Sequence, residues 1–243
     1  MKILIVDDEP PARDRLKRLV EELEGCECAG EAGNGTEAVT LAGQLAPDVV
    51  LMDIRMPGMD GVEAARHLSR LDEPPAVIFV TAYDEYALQA FETQAVGYLL
   101  KPVRREKLAD TLQRAARLTK PQLAMLAREV APKQRRTHLS VRMRHELRLI
   151  PVEEVLFFLA DQKYVTVRHL GGEELIEESL RALEEEFAPD FVRIHRNALV
   201  AARHIASIDR SGEGQYAVRL RGHADELPVS RRLATDVLRR FRG

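Results

Sequence analysis

One stretch limits what this chain can fold into. Val49-Val50-Leu51-Met52 is continuous and apolar, and it runs straight into Asp53 and then into Ile54-Arg55-Met56-Pro57-Gly58-Met59-Asp60-Gly61. An apolar run closed by Pro/Gly punctuation describes a strand buried on both faces that opens into a turn. Such strands belong to parallel sheets whose two faces are covered by helices. Asp53 then stands at a strand's carboxyl end, the edge at which open α/β sheets bind ligands. A plain turn-capping role would use the same residues, so the neighbouring strands decide between the two.

The flanking sequence repeats the pattern. Lys2 to Val6 reads as a strand ending in Asp7-Asp8-Glu9, and Pro10-Pro11 opens a helix with Leu16, Leu19, Val20 and Leu23 at helical spacing. Further strands are expected at Cys26–Ala32, Ala76–Val80 (ending at Thr81-Ala82) and Gly97–Leu100, with helices at Thr36–Leu45, Gly61–Leu71, Tyr86–Ala95 and Glu106–Leu118. Alternating short strands and helices predict a doubly wound, five-stranded parallel sheet over residues 1–118. Its strand tips would gather Asp7, Asp8, Asp53, Thr81 and Lys101. Crowded carboxylates repel unless a cation joins them, and an all-oxygen set suits Mg²⁺ rather than zinc. A hydroxyl and an ammonium beside them are what a transferred phosphoryl group needs for its remaining oxygens.

With these residues in place, residues 1–120 resemble the receiver domain of two-component response regulators. The resemblance implies that a sensor histidine kinase phosphorylates Asp53, and that Asp7, Asp8, Asp53 and the main-chain carbonyl of Arg55 hold Mg²⁺. It also implies that Lys101, followed by a cis peptide bond to Pro102, pairs with the phosphoryl group. Thr81 would bond a phosphoryl oxygen, and Tyr98 would be the switch aromatic. Met52, Met56, Met59, Cys26 and Cys28 are expected to be packing residues.

Charge divides the chain. Residues 1–120 carry 15 Lys and Arg against 21 Asp and Glu, whereas residues 121–243 carry 21 against 18. Glu173 to Asp190 alone hold eight acids and one Arg, so the remainder of the second half is strongly basic and suits a polyanion. Two cysteines support neither a disulfide framework nor a four-ligand zinc site. No apolar stretch reaches the roughly 20 residues of a membrane span, and no signal-peptide pattern opens the chain. A cytoplasmic protein is expected.

Residues 119–136 break the rhythm with Pro121, Pro132 and Lys133-Gln134-Arg135-Arg136, and read as a linker that could add a basic arm. From residue 137 to 243 short alternating strands dominate: 139–143, 146–150, 155–159, 164–168, 174–178, 191–194, 204–209, 216–221 and 226–229. Ser179 caps a helix to Phe187, Gly212 and Gly214 mark a hairpin turn, and Ser230 caps a helix to Phe241. The phrases Ile150-Pro151-Val152-Glu153-Glu154-Val155-Leu156-Phe157-Phe158, Phe191-Val192-Arg193-Ile194-His195-Arg196-Asn197 and Leu227-Pro228-Val229-Ser230-Arg231-Arg232 resemble the LytTR DNA-binding domain. That resemblance implies loops and strand ends in successive major grooves. Lys163 and Tyr164 beside Gln162, then Arg196 with Asn197, and Arg231 with Arg232 beside Ser230, would face DNA. Arg196 and Arg231 suit guanine edges, Asn197 suits adenine or a phosphate, and Arg203 and His204 suit backbone contacts. His195 alternates with Arg196 and is expected to point to the core.

Together these readings describe a transcription factor that binds double-stranded promoter DNA and homodimerises through the helix near Tyr86–Ala95 and the strand near Gly97–Leu100. An aspartate-nucleophile phosphatase would need a second Asp two residues after the first; that position is Arg55, so no dedicated enzyme is expected. An RNA-binding or protein-binding output is the remaining alternative, and a footprint on duplex DNA separates it.

Overall fold

The fold was described from a computed structural model, which describes residues 1–82, 97–116, 135–143, 146–161, 163–210, 215–223 and 226–241. The expected helix at 86–95, most of the linker, Gln162 and the Gly212/Gly214 turn lie outside the described residues. The chain divides into two compact units: residues 1–134 with 142–149, and residues 135–141 with 150–243.

In the first unit, strands β1 (Lys2–Val6), β2 (Glu27–Ala32), β3 (Val49–Met52), β4 (Ala76–Thr81) and β5 (Gly97–Leu100) form a five-stranded sheet in the order β2-β1-β3-β4-β5. Every pairing is parallel. The apolar runs of β1 and β3 are buried on both faces because helices cover both. Leu16 and Val20 of α1 (Pro10–Glu21) and Leu108 and Leu112 of α4 (Arg105–Ala116) close one side over Ile3, Ile5, Leu51 and Ile78. Ala38, Val39 and Ala42 of α2 (Gly35–Leu45) and Val62 and Leu68 of α3 (Gly61–Leu68) close the other over Leu4, Val50, Met52 and Phe79. Met52, Met56 and Met59 fill this second core, and Cys26 and Cys28 pack half-buried against the first, both as free thiols.

Local chemistry fixes the helix starts. Prolines open α1, Asn34 accepts from the Glu37 amide at 2.9 Å, and Asp60 accepts from the Glu63 amide at 2.7 Å. Gly61 is required at its position, because a Cβ there would lie 2.0 Å from the carbonyl oxygen of Asp53. The third helix can therefore start close against the end of β3.

The second unit is mostly β. A five-stranded antiparallel sheet runs β10 (Gly172–Ile176), β9 (Tyr164–His169), β8 (Val155–Asp161), β12 (Ala198–Ala201), β11 (Phe191–His195). A three-stranded sheet of β13 (Ile205–Arg210), β14 (Tyr216–Leu220) and β15 (Glu226–Val229) accompanies it; β6 (His138–Met143) and β7 (Glu146–Pro151) pair as a separate two-stranded sheet, whose residues 142–149 are grouped with the first unit. Phe158, Leu199 and Ala201 face the core under α5 (Leu180–Phe187), where Phe158 stacks on Phe187 with ring centroids 6.3 Å apart. Phe157, Ala198 and Val200 face the opposite core with Val218, Leu220, Leu227, Val229 and Val237 of α6 (Ala234–Phe241). The two phenylalanines are adjacent on β8, so one strand serves both cores.

Three expectations are corrected. Residues 198–201 form an interior strand of the sheet, between β8 and β11, where none was expected. The last helix begins at Ala234, after a turn in which the Ser230 carbonyl accepts from the Leu233 and Ala234 amides at 3.0 Å, so Ser230 is not its N-cap. Arg135 and Arg136 are not a free basic arm. Arg135 pairs with Asp190, and buried Arg136 is held by Glu178 at 2.7 and 2.9 Å and by Glu186 at 2.7 and 2.8 Å. These carboxylates hold the Arg136 guanidinium above its ordinary pKa although burial opposes its charge.

Removing that guanidinium leaves two half-buried carboxylates facing one another. Arg136→Ala is expected to cost about 2–4 kcal/mol of stability, and part of the loss should return when Glu178→Gln is added. Chemical denaturation of the four proteins checks this; additive losses would show that the ion cluster does not stabilise the unit.

Candidate functional site

Parallel topology delivers one acidic residue from each of two adjacent strands to the same edge. Asp7 follows β1 and Asp53 follows β3; the Asp53 amide donates to the Val6 carbonyl at 2.8 Å, and the Asp7 amide to the Ala32 carbonyl at 3.1 Å. Asp7, exposed Asp8 and Asp53 each place a carboxylate oxygen within 4.8 Å of the others. Lys101, just beyond β5, reaches across with Nζ 2.6 Å from Asp7 Oδ2 and 3.2 Å from Asp53 Oδ2. Four of the five residues that the sequence placed at strand tips are thus brought together. The Lys101–Pro102 peptide bond is cis.

Burial is uneven, and this sets the electrostatics. Asp7 is wholly buried and Asp53 is 8% exposed. Burial pushes the Asp53 carboxyl above its ordinary pKa and the charge of Asp7 adds to the effect, while Lys101 and the Ile54 amide, 2.8 Å from Asp53 Oδ1, oppose it without cancelling it. Burial also works against the Lys101 charge, yet the two carboxylates outweigh it and hold the ammonium above its ordinary pKa. Asp7 Oδ2 has Lys101 as an ion-pair partner but no well-directed hydrogen-bond donor. A buried acceptor of that kind, in an all-oxygen cluster with one exposed carboxylate, fits a hard divalent cation.

The remaining residues of this edge lie around the cluster. Thr81 is buried at the end of β4, and its carbonyl accepts from the Lys101 amide at 2.8 Å. Arg55 is exposed in the turn after Asp53. Tyr98 lies half-buried against the core under α2 and α3.

The basic residues of the second unit sort to two ends of its sheet. Strand register puts the β8–β9 turn, which carries Lys163 and Tyr164, beside the β11–β12 turn, which carries Arg196 and Asn197: the Ala160 amide donates to the Asn197 carbonyl at 2.8 Å. The Ser230 amide donates to the Ile194 carbonyl at 2.9 Å, so exposed Arg231 and Arg232 join the same end. Lys163 Nζ lies 5.8 Å from the centroid of the exposed Tyr164 ring. Arg203 and His204 lie at the opposite end, where both bond main-chain carbonyls: Arg203 those of Val152 and Glu153, His204 that of Glu153 at 3.1 Å. His195 is half-buried, not in the core; its Nδ1 meets Asn197 Oδ1. Sequence reading also missed Arg193. Its guanidinium bonds Glu184 Oε2 at 2.7 and 3.0 Å and the Arg196 carbonyl at 3.0 Å, tying α5 to the Arg196-Asn197 turn.

Known proteins resemble both units. Residues 3–113 match the response regulator receiver domain family, and residues 145–242 match the LytTR DNA-binding domain family. Over nearly its whole length the chain is similar to the positive alginate biosynthesis regulatory protein of Pseudomonas aeruginosa, at 53% identity over 98% of each chain. It is also similar to the sensory transduction protein LytT of Bacillus cereus, at 34% identity over 100% of this chain and 99% of that one. A third relative is the transcriptional regulatory protein BtsR of Salmonella typhi, at 35% identity over 96% of this chain and 95% of that one.

The raised Asp53 pKa carries a sign. The folded chain keeps this proton to a higher pH than the unfolded chain, so the group's contribution to stability is full at low pH and is lost as pH rises through the folded value. In chelator-containing buffer, Asp53→Asn should therefore gain on the wild type as pH rises from about 4 to about 7. Millimolar Mg²⁺ at neutral pH should raise the wild-type Tm by about 2–5 °C and the variant's far less. Thermal melts across pH, with and without Mg²⁺, check both; equal Mg²⁺ responses would remove Asp53 from the cation site.

Proposed function

The chain belongs to the two-component response regulators that join a receiver domain to a LytTR DNA-binding domain, and on the premise that it is a transcription regulator we propose that phosphorylation of Asp53 controls its binding to promoter DNA. The observation that carries this reading is the meeting of Asp7, Asp8, Asp53 and Lys101 at one sheet edge. In our reading residues 1–118 are the phosphoacceptor domain, 119–136 the linker and 137–243 the DNA-binding domain.

A sensor histidine kinase is the donor. One carboxylate oxygen of Asp53 attacks phosphorus, the N–P bond to the kinase histidine breaks, and the acyl phosphate adds charge and strong acceptors at the end of β3. Asp7, Asp8, Asp53 and the carbonyl of Arg55 would hold Mg²⁺, which neutralises the negative charge that gathers as phosphoryl oxygens enter. Lys101 exchanges its pairing with Asp53 for the phosphoryl group, and Thr81 donates its hydroxyl to another phosphoryl oxygen. Tyr98 follows Thr81 inward, which reshapes the face around β5. The acyl phosphate is lost slowly by hydrolysis, a timer rather than a turnover.

The reshaped face pairs two copies, and the homodimer places two LytTR domains on neighbouring half-sites, where tethering raises the effective concentration of the second domain. Lys163, Tyr164, Arg196, Asn197, Arg231 and Arg232 form the DNA-facing end, supported by their shared position in the fold. Arg203 and His204, at the other end, touch DNA only where the duplex bends around the module. Action on intracellular promoters implies a cytoplasmic protein.

Gel shifts of promoter duplex with the full chain, Mg²⁺ and acetyl phosphate test the reading. Phosphoryl donor should tighten wild-type binding roughly ten-fold and leave Asp53→Ala unaffected. Equal tightening in the variant would remove the phosphorylation step, and a lack of protection of duplex DNA in footprints would remove the DNA step.

A further inference from the structure

The turn that presents Arg196 and Asn197 is held from four directions. Arg193 bonds the Arg196 carbonyl at 3.0 Å while anchored to Glu184 on α5, the Asn197 carbonyl takes the Ala160 amide at 2.8 Å, and the Ile194 carbonyl takes the Ser230 amide at 2.9 Å. The fourth tie is the side-chain bond between His195 Nδ1 and Asn197 Oδ1, both residues half-buried. An imidazole that carries a proton on Nδ1 gives Asn197 Oδ1 its partner and fixes the plane of the amide. The Asn197 amide nitrogen has no hydrogen-bond partner among the described residues.

We infer that His195 is a positioning residue for recognition: it holds the Asn197 amide so that its NH₂ group, not its oxygen, is offered to the duplex. This deepens the DNA-binding reading and rests on it. An Asn that reads adenine in the bidentate manner must accept from adenine N6 and donate to N7 with the same amide. With Oδ1 turned towards the imidazole, the NH₂ is the side of the amide left to offer, suited to an acceptor: purine N7, guanine O6, thymine O4 or a phosphate oxygen. Adenine, expected for Asn197 beside a phosphate, is then met through its N7 acceptor. Removing the imidazole frees the amide to rotate, and the oxygen side becomes available to base donors. His195→Ala then changes which bases are accepted rather than simply weakening binding.

The test is selection of bound duplexes from a library randomised across the binding site, with affinities of selected duplexes, for the full-length wild type and for His195→Ala, Asn197→Ala, Asn197→Asp and the double alanine variant. Circular dichroism and thermal melts show that each variant folds. Asn197→Asp keeps an oxygen for His195 and loses the outward NH₂, and it should bind roughly ten-fold more weakly, like Asn197→Ala. His195→Ala should broaden the preference at the position that Asn197→Ala also affects, and should have no further effect in the Asn197→Ala background. Losses confined to one base position assign the acceptor to a base, whereas equal losses on all duplexes assign it to a phosphate. If Asn197→Ala weakens binding while His195→Ala leaves preference and affinity unchanged, or if the two losses add, the positioning role is wrong and the DNA-facing end stands. If Asn197→Ala binds like the wild type, both the positioning role and the place of Asn197 at the DNA fall together.

Discussion

Everything at the first unit's carboxyl edge depends on negative charges held closer than they would choose. The sheet does the holding. Parallel pairing of β1 with β3 is fixed by two cores of interlocking apolar side chains, so Asp7 and Asp53 cannot retreat from one another without unpacking Ile5, Val6, Leu51 and Met52. Lys101 offsets part of that repulsion from the far strand, and what is left keeps the Asp53 proton bound above the ordinary carboxylate range. A site that is electrostatically incomplete on its own has an affinity for positive charge built into its fold, because folding energy has already been spent on assembling it.

In the second unit the same physics works in the opposite direction. The acid-rich segment from Glu173 to Asp190 meets its counter-charges inside the unit: Glu178 and Glu186 take Arg136, Glu184 takes Arg193, and Asp190 takes Arg135. These arginines are occupied as structural cations. Arg196, Arg231 and Arg232, exposed and without an ion-pair partner among the described residues, are left to gather at one end of the sheet with Lys163. Net charge by itself would have counted all of them alike. What separates them is whether a carboxylate lies within reach in the folded chain.

The first unit was nearly transparent from sequence because strands buried on both faces write themselves as unbroken apolar runs, and because the polar residue that ends each run marks the functional edge. Helix starts were legible at Pro10 and Gly61, and within one residue at Gly35, whereas the caps Asn34 and Asp60 emerged only in the fold. The second unit hid what depends on distant partners. Ala198 to Ala201, only four residues long, does not alternate in polarity because both of its faces are buried between two cores. His195 defeated a count by parity, since a register shift between Arg193 and His195 breaks the alternation on which such counts rest. The roles of Arg135 and Arg136 rest on acids 42 to 55 residues away, beyond the reach of any local pattern.

Phe157 and Phe158 carry a consequence of their own. Because each belongs to a different core, sliding β8 by one residue would exchange their faces and spoil both cores at once. The strand therefore acts as a keel, and no half-slipped arrangement keeps either side intact. The turns at its far end, which carry the candidate recognition side chains, inherit that all-or-none registry: their spacing is set by the hull to which they are fastened rather than by the loops themselves.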